Sequence, residues 1–141
     1  MPDHQGMDVG RKKLRSLKGL KAQADSVFSK WVRTRQEGLG ASFDSGTGLA
    51  TCITCGATGK PSEMNAGHFW KRGHLATRFD PRNCHVQCVR CNNYRGGAEA
   101  EHAAYILQTY GKWTFDVLEN MHRRIVKLSR QDYEYIIEKY K

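Results

Sequence analysis

The chain has 141 residues, enough for one domain with a modest core, and a formal net charge of +9 with a pI near 9.5. That excess favours an anionic partner such as nucleic acid. No apolar run approaches the ~20 residues of a membrane span, and Met1 to Lys13 lacks the apolar stretch of a signal peptide, so neither membrane insertion nor export is expected.

Residues 1–10 carry little apolar content and read as a flexible tail. Residues 11–37 read as a basic helical arm, with Leu14, Leu17, Leu20, Ala24, Val27, Phe28, Trp31 and Val32 at helical spacing and Gly19 as a break between two helices. Arg11, Lys12, Lys13, Arg15, Lys18 and Lys21 crowd its first part, and Lys30, Arg33 and Arg35 line its end. Residues 1–36 hold nine Lys/Arg against three Asp/Glu, which makes this arm a candidate DNA contact. Gly38 to Gly48 is a Gly/Ser/Asp-rich linker.

Residues 49–97 form a cysteine-bearing core, closed by a short helix from about Val89 to Gly96-Gly97. The section from 61 to 97 is basic, six Lys/Arg against two Asp/Glu. In 98–141, with seven charges of each sign, the pattern predicts helices over about Glu99–Tyr110, Thr114–Lys127 with Thr114 as N-cap, and Arg130–Lys139 with Ser129 as N-cap. Leu118, Met121, Ile125 and Leu128 make a stripe for core packing. The expected class is α+β, mostly helical.

Cys52-Ile-Thr-Cys55 and Cys88-Val-Arg-Cys91 are two CxxC pairs with 32 residues between them. Without an export signal such pairs read as metal ligands and not as disulfides. Four thiolates from two such turns close a tetrahedral Zn²⁺ shell with no place for water, so this zinc is expected to staple the fold and do no chemistry. Cys84 stands outside both pairs and reads as a small buried apolar residue.

Between the pairs lie Gly67-His68-Phe69 and Asn83-Cys84-His85-Val86-Gln87, and Asn92 follows Cys91 directly. Phosphodiester hydrolysis needs a base to activate water, for which a neutral His suits pH 7, and a hard cation to stabilise the charged phosphorane. His68 is therefore the candidate base. Asn92 is the candidate ligand for Mg²⁺ or Mn²⁺ through its side-chain oxygen. His85 is a candidate second ligand, and Asn83 would tie two short strands together and hold His68 in place. Arg95, near Asn92, could reach a phosphate, and Lys71 and Arg72 form a basic loop with His74.

Together with Ala24-Asp25-Ser26-Val27-Phe28 through Arg35, and with Arg78-Phe79, these residues resemble the NinG (Rap) recombination nucleases of lambdoid phages. The likeness covers roughly Ala24 to Glu119. It implies a zinc-stapled ββα-metal (HNH-type) core flanked by helices. It also implies a structure-specific endonuclease for branched recombination intermediates, Holliday junctions and D-loops, encoded by a phage and working in the bacterial cytoplasm. The zinc-plus-Asn arrangement is also similar to the dimeric phage junction-resolving endonuclease VII. A homodimer would suit symmetric cutting, and recombination proteins are implied partners. One departure stands out: many ββα-metal nucleases carry an Asp or His ligand just before the base His, where this chain has Gly67. Either His85 or Asp80 supplies the missing ligand, or His68 binds metal and another group acts as base. The competing expectations are a non-catalytic zinc-stabilised DNA-binding module and a zinc-stapled protein-interaction domain.

Overall fold

The structure, a computed structural model, describes residues 14–141. The expected tail at 1–10 and the cluster Arg11, Lys12 and Lys13 lie outside the described residues.

Helix α1 spans Leu17–Thr34 without interruption. Ser16 caps it, its Oγ accepting from Gly19 N–H at 3.0 Å. Gly19 thus sits in the first turn as a capped donor, and the expected break at Gly19 is absent. Leu20, Ala24, Phe28 and Val32 recur every fourth residue and form the buried face.

Two small antiparallel sheets follow. Strands β1 (Phe43–Asp44), β2 (Leu49–Thr51) and β3 (Thr58–Gly59) lie side by side in that order. The β1–β2 turn is held by the Asp44 carboxylate, which accepts from Gly46 N–H at 2.8 Å. Strand β4 (Met64–His68) pairs with β5 (Cys84–Cys88), Gly67 opposite His85 and His68 opposite Cys84. The connection between them contains α2, a single turn at Leu75–Arg78.

Strand β5 runs into a π-helical turn at Arg90–Tyr94 that carries Cys91 and Asn92. It closes through an Arg95 N–H to Arg90 carbonyl bond of 2.9 Å. Such turns recur at functional sites. Three helices complete the chain: α3 (Glu99–Tyr110), α4 (Lys112–His122) and α5 (Arg130–Tyr140). Ser129 caps α5 in a reciprocal box with Asp132. Helix α4 begins two residues before Thr114, after Gly111, and ends at His122, short of the expected Lys127. Leu118 of the apolar stripe is buried, but Ile125 lies beyond the helix and is fully exposed.

Helix α5 returns to cover α1. Tyr133 joins Leu20 and Ala24, and Tyr140 joins Phe28, Val32 and Cys84. The Phe28 and Tyr140 rings meet edge-to-face at 5.0 Å, a geometry worth about 0.5–1.5 kcal/mol beyond the area buried. The α+β class holds: the β4–β5 hairpin lies against α1 on the face bearing His68 and Cys84, while His85 points to the other face, against His102, Tyr105 and Tyr110.

Candidate functional site

Cys52 and Cys55 sit on the knuckle after β2. Gly56 closes its turn at φ +81°, and its N–H donates to the Cys52 carbonyl at 2.9 Å. Cys88 ends β5 and Cys91 lies in the π turn. The four sulfurs lie within 4.8 Å of one another, and those of Cys55 and Cys88 are 3.6 Å apart. That is far beyond a disulfide bond of about 2.05 Å and near the roughly 3.8 Å edge of a tetrahedral zinc–thiolate shell. The four cysteines can hold a metal ion, and a sulfur-only donor set fits zinc. Ala50, Met64, Val86 and Ala98 pack behind Cys52 and Cys91. Cys84 is separate, fully buried against Phe28 and Val32.

A cavity of about 790 Å³ opens beside this knot, lined among others by Asp25, Arg33, His68, Lys71, Arg72 and Asn92. His68 and Asn92, far apart in sequence, are therefore brought to one cavity. His68 Nε2 lies 2.8 Å from the Arg78 carbonyl oxygen. A carbonyl only accepts, so Nε2 carries the proton and the neutral ring keeps its lone pair on Nδ1. Burial pushes the His68 pKa down to about 4, only partly opposed by the bond to Arg78. The ring is neutral at pH 7, a form that can take up a proton.

Asn83 does not line the cavity. It is fully buried: its Oδ1 accepts from Trp70 N–H at 2.9 Å, and its Nδ2 donates to the carbonyls of Trp70 and Thr77 at 3.0 and 3.2 Å. It fastens the connection between β4 and β5 at two points, and its burial keeps its amide from a substrate.

His85 is not brought to the cavity either, which corrects its assignment as a second metal ligand. Its Nε2 is 2.9 Å from Tyr110 Oη, which itself donates to the Leu39 carbonyl. The tyrosine's one proton is thus spent, so His85 Nε2 must be the donor. His85 Nδ1 then accepts from His102 Nε2 at 3.0 Å. Both ring nitrogens are used, and burial, reinforced by the neighbouring His102, drives the His85 pKa well down. No lone pair is left for a metal. Asp80 is equally unsuited, since its carboxylate is bound to Arg82 at 2.7 and 3.0 Å.

The cationic candidates divide. Lys71, Arg72 and Arg33 line the cavity, although Arg33 also donates to the Pro61 carbonyl at 2.7 Å. Lys30 and Lys60 line an adjoining groove of about 740 Å³ that shares Arg33 and Ser62 with the cavity. Arg35 is corrected as a surface DNA contact: it is buried, donates to the Pro81 and Cys84 carbonyls, and stacks on Trp31 at 4.9 Å. Arg95 faces the knot, with Glu101 at 3.0 Å and the Cys91 sulfur at 3.6 Å, and does not line the cavity. Asp25 and Lys60 were missed. Asp25 lies within the Ala24–Arg35 stretch that carried the family likeness, and that was the signal available for it.

Comparison with known proteins shows which family the chain belongs to. The family model "Bacteriophage Lambda NinG protein" matches residues 3–141. The chain belongs to the NinG family. It is 30% identical to Protein ninG of Escherichia phage 933W over 97 residues, 68% of this chain and 48% of that protein. Against Protein ninG of Salmonella phage P22 the figure is 30%, and against that of Escherichia phage lambda 29%, each over 97 residues, 68% of this chain and 47% of the relative. The chain thus spans about half the length of these curated NinG relatives. No solved structure matches it. Among the described residues no helix is long and apolar enough to cross a membrane.

Proposed function

We propose that this NinG-family chain is a metal-dependent DNA endonuclease of the ββα-metal (HNH) type. The observation that carries the reading is the meeting of His68 and Asn92 in one basic cavity beside the Cys₄ knot. His68 presents a neutral imidazole whose Nε2–H is tied to a carbonyl, so Nδ1 would take a proton from the attacking water. Asn92 would hold Mg²⁺ or Mn²⁺ through Oδ1. With His85 and Asp80 committed elsewhere, water and substrate phosphate would take the place of the ligand expected before the base, as suits a cation that dehydrates reluctantly. His68 stays free as base. When bound, that cation supplies charge stabilisation to the phosphorane and the departing 3′-oxygen.

Lys71, Arg72 and Arg33 would hold the phosphates flanking the scissile bond, and Lys30 and Lys60 would continue the track outward. The zinc in the knot would be structural, setting where Asn92 stands relative to His68. The likeness to recombination nucleases adds branched DNA as the substrate, acted on by a phage protein in the cytoplasm of the bacterial host, with a homodimer and recombination proteins as further expectations.

The test is cleavage of a labelled four-way junction and a matched linear duplex with Mg²⁺ or Mn²⁺, comparing wild type with His68→Ala. Wild type should cut the junction, and the variant should lose about 10²–10⁴-fold in rate with zinc content unchanged. DNA binding by wild type without cutting under any divalent metal would sink the nuclease reading in favour of a zinc-stabilised binding module.

A further inference from the structure

The carbonyl that fixes His68 belongs to a residue whose side chain is itself clamped. Arg78 ends α2, a helix of one turn, so its carbonyl has no acceptor role within that helix and is free to receive His68 Nε2–H at 2.8 Å. A single turn has little stability of its own; Asn83 Nδ2 holds its Thr77 carbonyl at 3.2 Å, and the Arg78 guanidinium fastens its last residue. Nε donates to Asp25 Oδ1 at 2.8 Å, Nη2 to Asp25 Oδ2 at 2.5 Å, and Nη1 to the Arg72 carbonyl at 2.8 Å. The pair is bidentate and largely sheltered, with side-chain exposures of 12% for Arg78 and 20% for Asp25.

Such two-point contact fixes orientation as well as distance. Asp25 belongs to α1, whose buried face is set by Leu20, Ala24 and Phe28. A rigid helix is thereby linked through one ion pair and one carbonyl to the imidazole on β4. Asp25 itself is poorly placed to hold a metal, because both its oxygens are already accepting from Arg78 and Arg72 Nη1 stands 3.8 Å from Oδ2.

We propose that Asp25 and Arg78 form a positioning pair that holds His68 in its Nε2–H tautomer and aims Nδ1 into the cavity. The catalytic meaning of the pair rests on the nuclease reading, but its effect on the ring does not. In that reaction the water proton passes to Nδ1, and the resulting imidazolium keeps donating Nε2–H to the Arg78 carbonyl. Without the clamp, α2 can shift its carbonyl away, the Nδ1–H tautomer becomes accessible, and that form has no lone pair on the cavity side.

The experiment uses ¹⁵N-histidine-labelled full chain with zinc bound, and long-range ¹H–¹⁵N spectra to assign the protonated nitrogen of His68. Wild type should show Nε2 protonated and Nδ1 bare. Asp25→Asn, which keeps shape and removes charge, should give a mixture of tautomers and lower kcat on a four-way junction about 10–100-fold, with KM within about twofold of wild type on the same positioning argument. Asp25→Glu should restore much of both. Zinc content and thermal melting monitor folding; if Asp25→Asn does not hold zinc, Arg78→Lys is read in its place.

A folded variant that keeps the pure Nε2–H signature overturns the proposal, whatever its activity. If the tautomer shifts in Asp25→Asn while wild type cuts no DNA at all, the clamp stands and the nuclease reading falls.

Discussion

Gln87 fills the space that a side chain at position 67 would need: a Cβ placed on Gly67 falls 1.9 Å from Gln87 Oε1 and 2.7 Å from its Cδ. Gln87 is fully buried and held there, its Nε2 donating to the Gly97 carbonyl at 2.9 Å and to Thr54 Oγ1 at 3.2 Å. Its Oε1 finds no N–H or O–H donor among the described residues. At this distance it rests on the Gly67 backbone, a setting suited to a weak Cα–H···O contact. Position 67 also shares a face with His85 and Gln87, since facing partners in an antiparallel pair point the same way and neighbours alternate. The glycine is therefore a packing requirement and not a ligand position left bare.

Gly67→Ala should destabilise the protein by about 1–3 kcal/mol through overpacking, read as a lower thermal midpoint. Gly67→Asp should cost more and should not tighten Mg²⁺ or Mn²⁺ binding in a titration. Tighter binding would show that the strand can present residue 67 to the cavity after all.

Removing the knot should cost far more than any single core substitution. A structural zinc contributes on the order of 10 kcal/mol in small metal-stapled domains. Cys52→Ser or Cys88→Ser should therefore unfold the region around 49–97 and abolish zinc binding. Metal analysis of wild type should give one zinc per chain, one for each set of four thiolates. Cys84→Ala, whose sulfur lies in the α1 core, should retain the zinc, with any destabilisation confined to its packing.

Acid should unfold the chain through its buried histidines. His68 is held down to about 4 and His102 to about 3, each chiefly by burial, against an ordinary value of 6.5. Below 6.5 the unfolded chain takes up protons that the folded rings refuse, so stability falls with pH. It should be fully present above about pH 6.5 and decline continuously toward pH 4, the folded value for His68. Urea melts at stepped pH would show this, and His102→Gln should flatten the slope. A stability curve level from pH 7 to 5 would contradict it.

On the proposed nuclease reading, charge reversal at the cavity rim should weaken DNA binding without sequence preference. Lys71 and Arg72 are exposed and line the cavity. Each phosphate that the protein no longer neutralises should reduce the slope of log K against log salt by about 0.9 on duplex DNA. Replacing both by Glu should therefore lower the slope by roughly 2, measured by anisotropy across a salt series. Arg35→Gln should leave the slope unchanged while lowering the melting point, because that guanidinium is internal.

Much of this was legible in the chain, and the parts that were not share a cause. The cysteine pairs announced their cluster because CxxC spacing is a local property, and Ser129 announced α5 because a capping box is local too. His85 was misplaced because assigning it required the register of β4 on β5, a non-local quantity that decides which face each residue takes. Arg35 read as surface charge because sequence cannot show that Trp31 and two carbonyls surround it. Asp25 passed unnoticed for the same reason: its partner Arg78 is 53 residues away.

The pairing of Met64 with Cys88 gives the sulfur cluster a second task. A strand that slips by one residue turns every side chain to the opposite face, and in this hairpin such a slip would send His68 toward the space now held by His85 and Gln87. Cys88 ends the very strand that would have to slide. A metal gripping Cys88 from one side and the Cys52–Cys55 knuckle from the other would act as a ruler for the hairpin. Depleting it would scramble which face carries the imidazole before it melted the helices.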